Sequence, residues 1–278
     1  MNDVALPLVS VIVPTRNSAN TLEICLESVH AQTYPHVEII VVDNHSTDST
    51  QEIAARYGKL YIKGPERSAQ KNWGSKQSRG TCLLFLDSDC ELELTVIEEC
   101  VSLCQEGASG VMIPMEHVGQ GFWAEVKKLE RQCYLGDDSL EAPWFFTKTA
   151  FQAIHGFDED LVGGEDWDIA RRMRESGYNN IERSSAGLKH HIGHWQFWKE
   201  LKKRFYYGQT MKMYLQKNRH SAIRQIPFFR SAYLRNWRLL TSHPFLTIGL
   251  FVLKFLETVF VGAGVLVAYL WGPQYAKT

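Results

Sequence analysis

Four short apolar runs separated by stretches of helical spacing constrain this chain more than any other feature. They are 9–13 (VSVIV), 38–42 (EIIVV), 60–62 (LYI) and 82–86 (CLLFL). A strand apolar at nearly every position is buried on both faces, the condition of a parallel sheet covered by helices. Between the first two runs, residues 21–32 put Leu22, Cys25, Leu26 and Val29 on one face, with Ser18 or Asn20 available as N-cap. Residues 48–57 and 68–78 repeat the helical rhythm. The first ninety residues therefore predict a doubly wound α/β half-domain, in which ligands sit at the carboxyl ends of the strands.

Those ends carry the polar residues. Pro14, Thr15, Arg16 and Asn17 follow the first strand, Asp43 and Asn44 the second, and Asp87, Ser88 and Asp89 the fourth. Neither G-x-G-x-x-G nor G-x-x-x-x-G-K-[ST] occurs, which disfavours a dinucleotide-dependent dehydrogenase and a P-loop kinase. Two carboxylates two residues apart at a strand end supply hard oxygen ligands for a divalent cation, and the same pattern also occurs in solvated turns.

Charge divides the chain. Residues 195–238 hold eleven Lys/Arg against the single acid Glu200, so this stretch is +10 while the rest of the chain, whose total is −1, carries −11. An acidic body with a basic collar results. Six cysteines without a C-x-x-C pair predict reduced, mostly buried thiols and a reducing compartment, and the first residues lack the basic start of a signal peptide.

Four blocks together resemble the family 2 glycosyltransferases: VSVIVPTRN (9–17), EIIVVDNHSTDST (38–50), SAQKNWGSKQSRGTCLLFLDSDCEL (68–92) and GFDEDLVGGEDWDIARRMRESGY (156–178). The resemblance covers roughly residues 8–210. It implies a GT-A fold, a Rossmann-like mixed α/β sheet flanked by helices, and an inverting transfer from a nucleoside-diphosphate sugar, with UDP as the expected donor nucleotide. It further implies that Pro14, Thr15, Arg16, Asn17, Asp43, Lys71, Asp87 and Ser88 contact the nucleotide, with Asp43 on the base. Asp87 and Asp89 are implied as ligands of Mn²⁺ or Mg²⁺. Glu91 falls where some relatives place another ligand, though a Glu after a strand is also ordinary surface.

The E-D pair, Glu165 and Asp166, follows a Gly163-Gly164 turn and precedes a predicted helix over 167–176 that ends at Gly177. The resemblance implies Asp166 as general base toward an acceptor hydroxyl, with Glu165 beside it. One displacement inverts the anomeric centre, without the carboxylate nucleophile of a two-step retaining route. In relatives a His after this helix completes the metal site; His191 is the first choice here and His190 the second, and imidazole ligation favours manganese. Trp144 and Phe145 are candidate acceptor contacts or core aromatics. Where relatives show two glycines, this chain has His155-Gly156.

The tail differs. Aromatics from Trp195 to Tyr214 interleave with the basic collar, the mixture of a membrane interface, and residues 245–271 are apolar except for Lys254, Glu257 and a few small residues. Nucleic acid as partner is disfavoured because the collar leads straight into this segment. A crossing, a shallow re-entrant hairpin and an amphipathic pair all fit its length. The expected division is a catalytic domain, 1–194 (nucleotide half about 8–92, acceptor half about 93–194), and a membrane-associating region, 195–278. The expected location is the cytoplasmic membrane face, with a lipid-linked or membrane-proximal acceptor. The competing reading is a non-catalytic nucleotide-sugar-binding or scaffold protein on the same fold.

Overall fold

A computed structural model describes residues 6–137, 140–161, 163–217 and 231–271, with backbone alone for 210–217. Of the basic and aromatic collar, Arg219, Arg224, Arg230 and the side chains of Lys212, Tyr214 and Lys217 lie outside the described residues, as do residues 1–5 and part of the 136–139 loop.

The apolar runs form β1 (Val9–Thr15), β2 (Val37–Asp43), β3 (Lys59–Ile62) and β4 (Cys82–Phe85). Between them lie α1 (Leu22–His30), α2 (Thr50–Tyr57) and α3 (Arg67–Gln77). Three more strands, β6 (Gly110–Met112), β8 (Phe145–Thr147) and β9 (Ile181–Arg183), complete a seven-stranded sheet in the order β3-β2-β1-β4-β8-β6-β9. β8 runs antiparallel to β4 and β6, so the sheet is mixed, as expected.

Strand alternation builds two cores. Val9, Val11 and Val13 of β1 point into one, with Leu26 of α1 and Val101 of α4 (Val96–Gln105); Ile12 points into the other, with Phe146, Phe151 and Ile169. α3 packs close to β1 because residue 74 is glycine: a Cβ there would stand 2.5 Å from Ile12 Cγ2. After β4 the short strand β5 (Cys90–Leu92) pairs antiparallel with β10 (Leu188–His194), with Lys189 opposite Glu91. α6 (Lys148–Ala153) and α7 (Glu165–Glu175) follow β8. α7 begins two residues earlier than expected, which places both acids of the E-D pair in its first turn. It ends as predicted at Gly177, whose φ of +86° suits glycine.

The chain forms two compact units. The first, residues 1–115, 141–159 and 165–191, contains the large sheet. The second contains 116–140, 160–164 and 192–278. Residues 116–140, expected within the catalytic body, group with the tail because their helix α5 (Phe122–Tyr134) has an apolar face matched to it. Val126, Leu129 and Cys133 of α5 share a core with Leu250 and Leu253 of the C-terminal helix.

The second unit further contains β7 (Met115–Gln120, begun in the first), α8 (Phe197–Lys217), α9 (Ser231–Arg235), α10 (Trp237–Ser242) and α11 (Pro244–Trp271). α11 is a single continuous helix, long and apolar enough to cross a membrane, which overturns the hairpin and the amphipathic pair. Its two mid-segment charges are buried and paired. Lys254 contacts Glu130 of α5 and lies 2.6 Å from Glu257, and Glu257 accepts from Arg204 of α8 at 3.3 Å. Lys127 sits 2.5 Å from Glu130. Burial alone would raise the Glu130 carboxyl, but Lys127 and Lys254 hold it well below the usual range.

The six cysteines are free thiols, five of them buried.

Candidate functional site

At the ends of β1 and β2, Thr15 and Asp43 are register partners, and the Thr15 hydroxyl donates to Asp43 Oδ1 at 3.0 Å. Asp43 is fully buried. Its carboxylate also accepts from the Ser46 amide (2.8 Å), the Ser46 hydroxyl (2.5 Å) and Gln51 (2.9 Å). Through these contacts Asp43 organises the loop that follows β2. Asn17 sits at φ +49°, where asparagine is tolerated, and cross-links the two loops: its amide donates to Ser46 Oγ (2.8 Å) and its Oδ1 accepts from the Thr47 amide (2.9 Å). Pro14 is buried and Arg16 exposed. Ser88 donates to Ser18 at 2.9 Å, tying the end of β4 to the first loop.

Gln70 was not anticipated. Buried on α3, its side-chain amide donates to the Thr15 carbonyl (3.0 Å) and the Val42 carbonyl (2.6 Å), satisfying two main-chain acceptors where the sheet ends.

The same helix carries two cations one turn apart. Arg67 pairs with Asp87 at 3.3 Å, and Lys71, only 5% exposed, lies 3.8 Å from Asp166 and 4.8 Å from the Phe157 ring centroid. Residues i and i+4 share a helix face, so one stripe of α3 links the D-x-D motif to the E-D motif. Arg67, like Gln70, is absent from the residues expected at the site.

On the β5/β10 edge the two histidines meet different acids. His191 Nε2 lies 2.8 Å from Glu91, while His190 Nε2 meets Asp89 Oδ2 at 3.1 Å. Asp89 precedes β5 in a turn closed by the Cys90 amide on the Asp87 carbonyl, so its side chain escapes strand alternation and reaches the face of His190. Among the described residues no group of three or more His, Cys, Asp or Glu converges to hold a metal. Asp89 and His190 make a donor set of two, open to solvent, as suits a cation that takes its remaining ligands from substrate phosphates and water.

Asp166 is 56% exposed on its side chain, at the positive end of the α7 dipole. Glu165 is pushed up to about 7 by burial and then by the Asp166 charge, against the pull of Lys71 and Arg67. Because the folded value lies above the ordinary 4.5, the folded chain holds a proton that the unfolded chain releases, and stability falls as pH rises from about 4.5 to 7. Glu165→Gln is expected to stabilise the protein at pH 8 and to change its stability little at pH 4.5. Thermal unfolding across that range checks this, and a pH-independent difference would contradict it. Asp168, by contrast, is buried between Arg171 (2.8 Å) and Arg172 (2.7 Å) and serves the helix.

Phe145 is withdrawn as an acceptor contact: it is fully buried in β8 and packs in the first core, against which Trp144 also lies. The His155-Gly156 turn keeps the geometry of a double glycine, with φ +59° and +68°. Asn72 of α3 clamps its far side, donating to the Phe157 carbonyl (2.8 Å) and accepting from the Phe157 amide (2.9 Å).

The family model described as "Glycosyl transferase family 2" matches residues 10–159, and a model described as "N-terminal domain of galactosyltransferase" matches residues 144–195. The chain is 41% identical over 107 residues to "Glycosyltransferase AglE" of Haloferax volcanii, a match covering 35% of each chain. This chain thus spans about a third of that relative's length. The mannosyltransferase PcManGT of Pyrobaculum calidifontis, solved with GDP-Man and Mn²⁺, shares the fold with a TM-score of 0.60 at 18% identity, over 97% of this chain and 77% of that one. TarS 1-349 of S. aureus with UDP-GlcNAc gives 0.52 at 20% identity, over 97% and 93%.

Proposed function

Since the chain belongs to glycosyl transferase family 2, we propose that it is an inverting enzyme moving a sugar from a nucleoside-diphosphate donor, UDP foremost, to a hydroxyl acceptor that is lipid-linked or held at a membrane surface. The observation that carries this reading is the α3 stripe, Arg67 on Asp87 and Lys71 on Asp166, which joins the two acidic motifs.

Thr15, Asn17 and Ser88 line the nucleotide pocket beside Pro14 and Arg16, and Asp43 supports it by fixing Thr15 and the Ser46 loop. Asp89 and His190 would hold a divalent cation, with Asp87 beside them. The imidazole favours Mn²⁺ over Mg²⁺. Such an ion neutralises charge on the departing diphosphate. Asp166 removes the acceptor proton as the acceptor oxygen bonds the anomeric carbon and the bond to the diphosphate breaks on the opposite face. A single displacement therefore inverts that centre. Lys71 keeps the Asp166 carboxylate in place, and Glu165, protonated below about pH 7, limits the repulsion between the adjacent acids.

α11 supports association with a membrane, and the proposed side is the cytoplasmic one. The catalytic domain of this reading is the first unit, with residues 8–92 as its nucleotide half.

UDP is expected to bind more tightly with Mn²⁺ than with a chelator, and Asp89→Ala and His190→Ala each to remove that difference. Titration calorimetry measures it. A metal effect that survives both substitutions would move the ion elsewhere.

A further inference from the structure

α11 shows one-sided exposure along its whole length. Phe245, Ile248, Val252, Phe255, Val259 and Leu266 are exposed at helical spacing, whereas Gly249, Leu253, Lys254, Glu257, Gly264 and Ala268 are buried on the opposite face. The exposed face carries no Asp, Glu, Lys or Arg. An apolar face this long is covered by something in the working protein.

The helices on the buried face identify the cover. α5 meets α11 at Gly249, where a Cβ would press on Phe122, and again at Lys254 through Glu130. α8 meets it at Glu257 through Arg204, then at Val261, whose carbonyl leaves no room for a Cβ on Gly208, and at Gly264, where the Phe205 carbonyl leaves no room for one. Charged helices thus accompany α11 from residue 249 to residue 264, about 22 Å of a hydrocarbon core about 30 Å thick. α5 holds five charged residues in its 13, and α8 seven in its 21, with Lys199, Lys202 and Lys203 exposed. A crossing α11 would carry these helices into hydrocarbon, where exposed lysines are unfavourable. Trp198, Trp237 and Trp271 are exposed as well, the residue type that settles at headgroup level.

We infer that α11 does not cross the bilayer: it lies in one leaflet with its exposed face among the acyl chains, while α5 and α8 remain on the water side and the lysines of α8 meet anionic headgroups. The occupant of this face is the lipid surface. The inference rests on the proposed membrane association and adds its geometry.

The test uses the full chain with one epitope at each end, expressed in a bacterium, converted to spheroplasts and treated with external protease. One-leaflet embedding predicts that the protein sediments with membranes after a high-salt wash and that neither epitope is cleaved until the cells are lysed. Cleavage of the C-terminal epitope alone would overturn the inference and leave membrane association standing. Recovery in the soluble fraction would overturn the association itself, and a soluble dimer would assign the face to a second copy. As a second arm, Phe255→Asp, on the exposed face, is expected to lower binding to phosphatidylglycerol vesicles at least tenfold while leaving UDP affinity unchanged. Unchanged vesicle binding would also overturn the inference.

Discussion

Asp166→Asn is expected to lower turnover by roughly 10²-fold or more while leaving UDP affinity within about twofold of the parent. The amide keeps the size of the side chain and its place in the first turn of α7, but it cannot accept the acceptor proton. The proposed nucleotide contacts lie on other elements, the ends of β1, β2 and β4 and the loops after them, so binding should survive. Steady-state kinetics and calorimetry on the same preparation separate the two. Loss of UDP binding in step with turnover would show that Asp166 holds the donor; wild-type turnover would transfer the base to Glu165, whose elevated value near 7 already lets it exchange protons at neutral pH.

The second large effect is structural. Glu130 is buried and receives Lys127 and Lys254 on one oxygen each, and its Oε1 also accepts from the Tyr134 hydroxyl at 2.7 Å. Glu130→Ala leaves two ammonium groups without their main counter-charge inside the helical unit. Removing one partner of a buried ion pair costs about 3–5 kcal/mol. Urea unfolding of the full chain should show that loss, with UDP affinity unchanged, since every proposed nucleotide contact lies in the other unit. A loss below about 1 kcal/mol would mean that water screens the cluster. Truncation before residue 244 is a poorer probe, because it removes Leu250, Leu253, Lys254 and Glu257 at once.

The sequence made the sheet and its strand ends legible for a physical reason. Buried parallel strands read as unbroken apolar runs, and the polar residues following each run fall where a doubly wound sheet binds ligands. What escaped depends on contacts between distant elements. α3 is polar along most of its length, so nothing local marks Gln70 as buried or Arg67 as facing Asp87. The two histidines were separable by alternation on β10, but the turn that aims Asp89 at His190 was not. Phe145 differs from an exposed aromatic only in its place at the centre of the sheet. Lys254 and Glu257 read as an obstacle to burial until α5 and α8 supply their partners. The assignment of 116–140 to the second unit has the same origin: α5 had a visible apolar face and no visible mate.

The claim that the acidic motifs form a working transfer site meets its most direct test in nucleoside-diphosphate release from a panel of nucleotide sugars with Mn²⁺ present. Wild-type protein, the Asp89→Ala variant and the Asp166→Asn variant are compared, and the anomeric proton of the released sugar is followed by NMR. The expected result is consumption of at least one donor by the wild type alone, with the product first appearing in the anomeric configuration opposite to that of the donor. Tight UDP binding without consumption of any donor would make the chain a nucleotide-sugar-binding protein on a transferase fold, and a product of retained configuration would contradict the single displacement at Asp166.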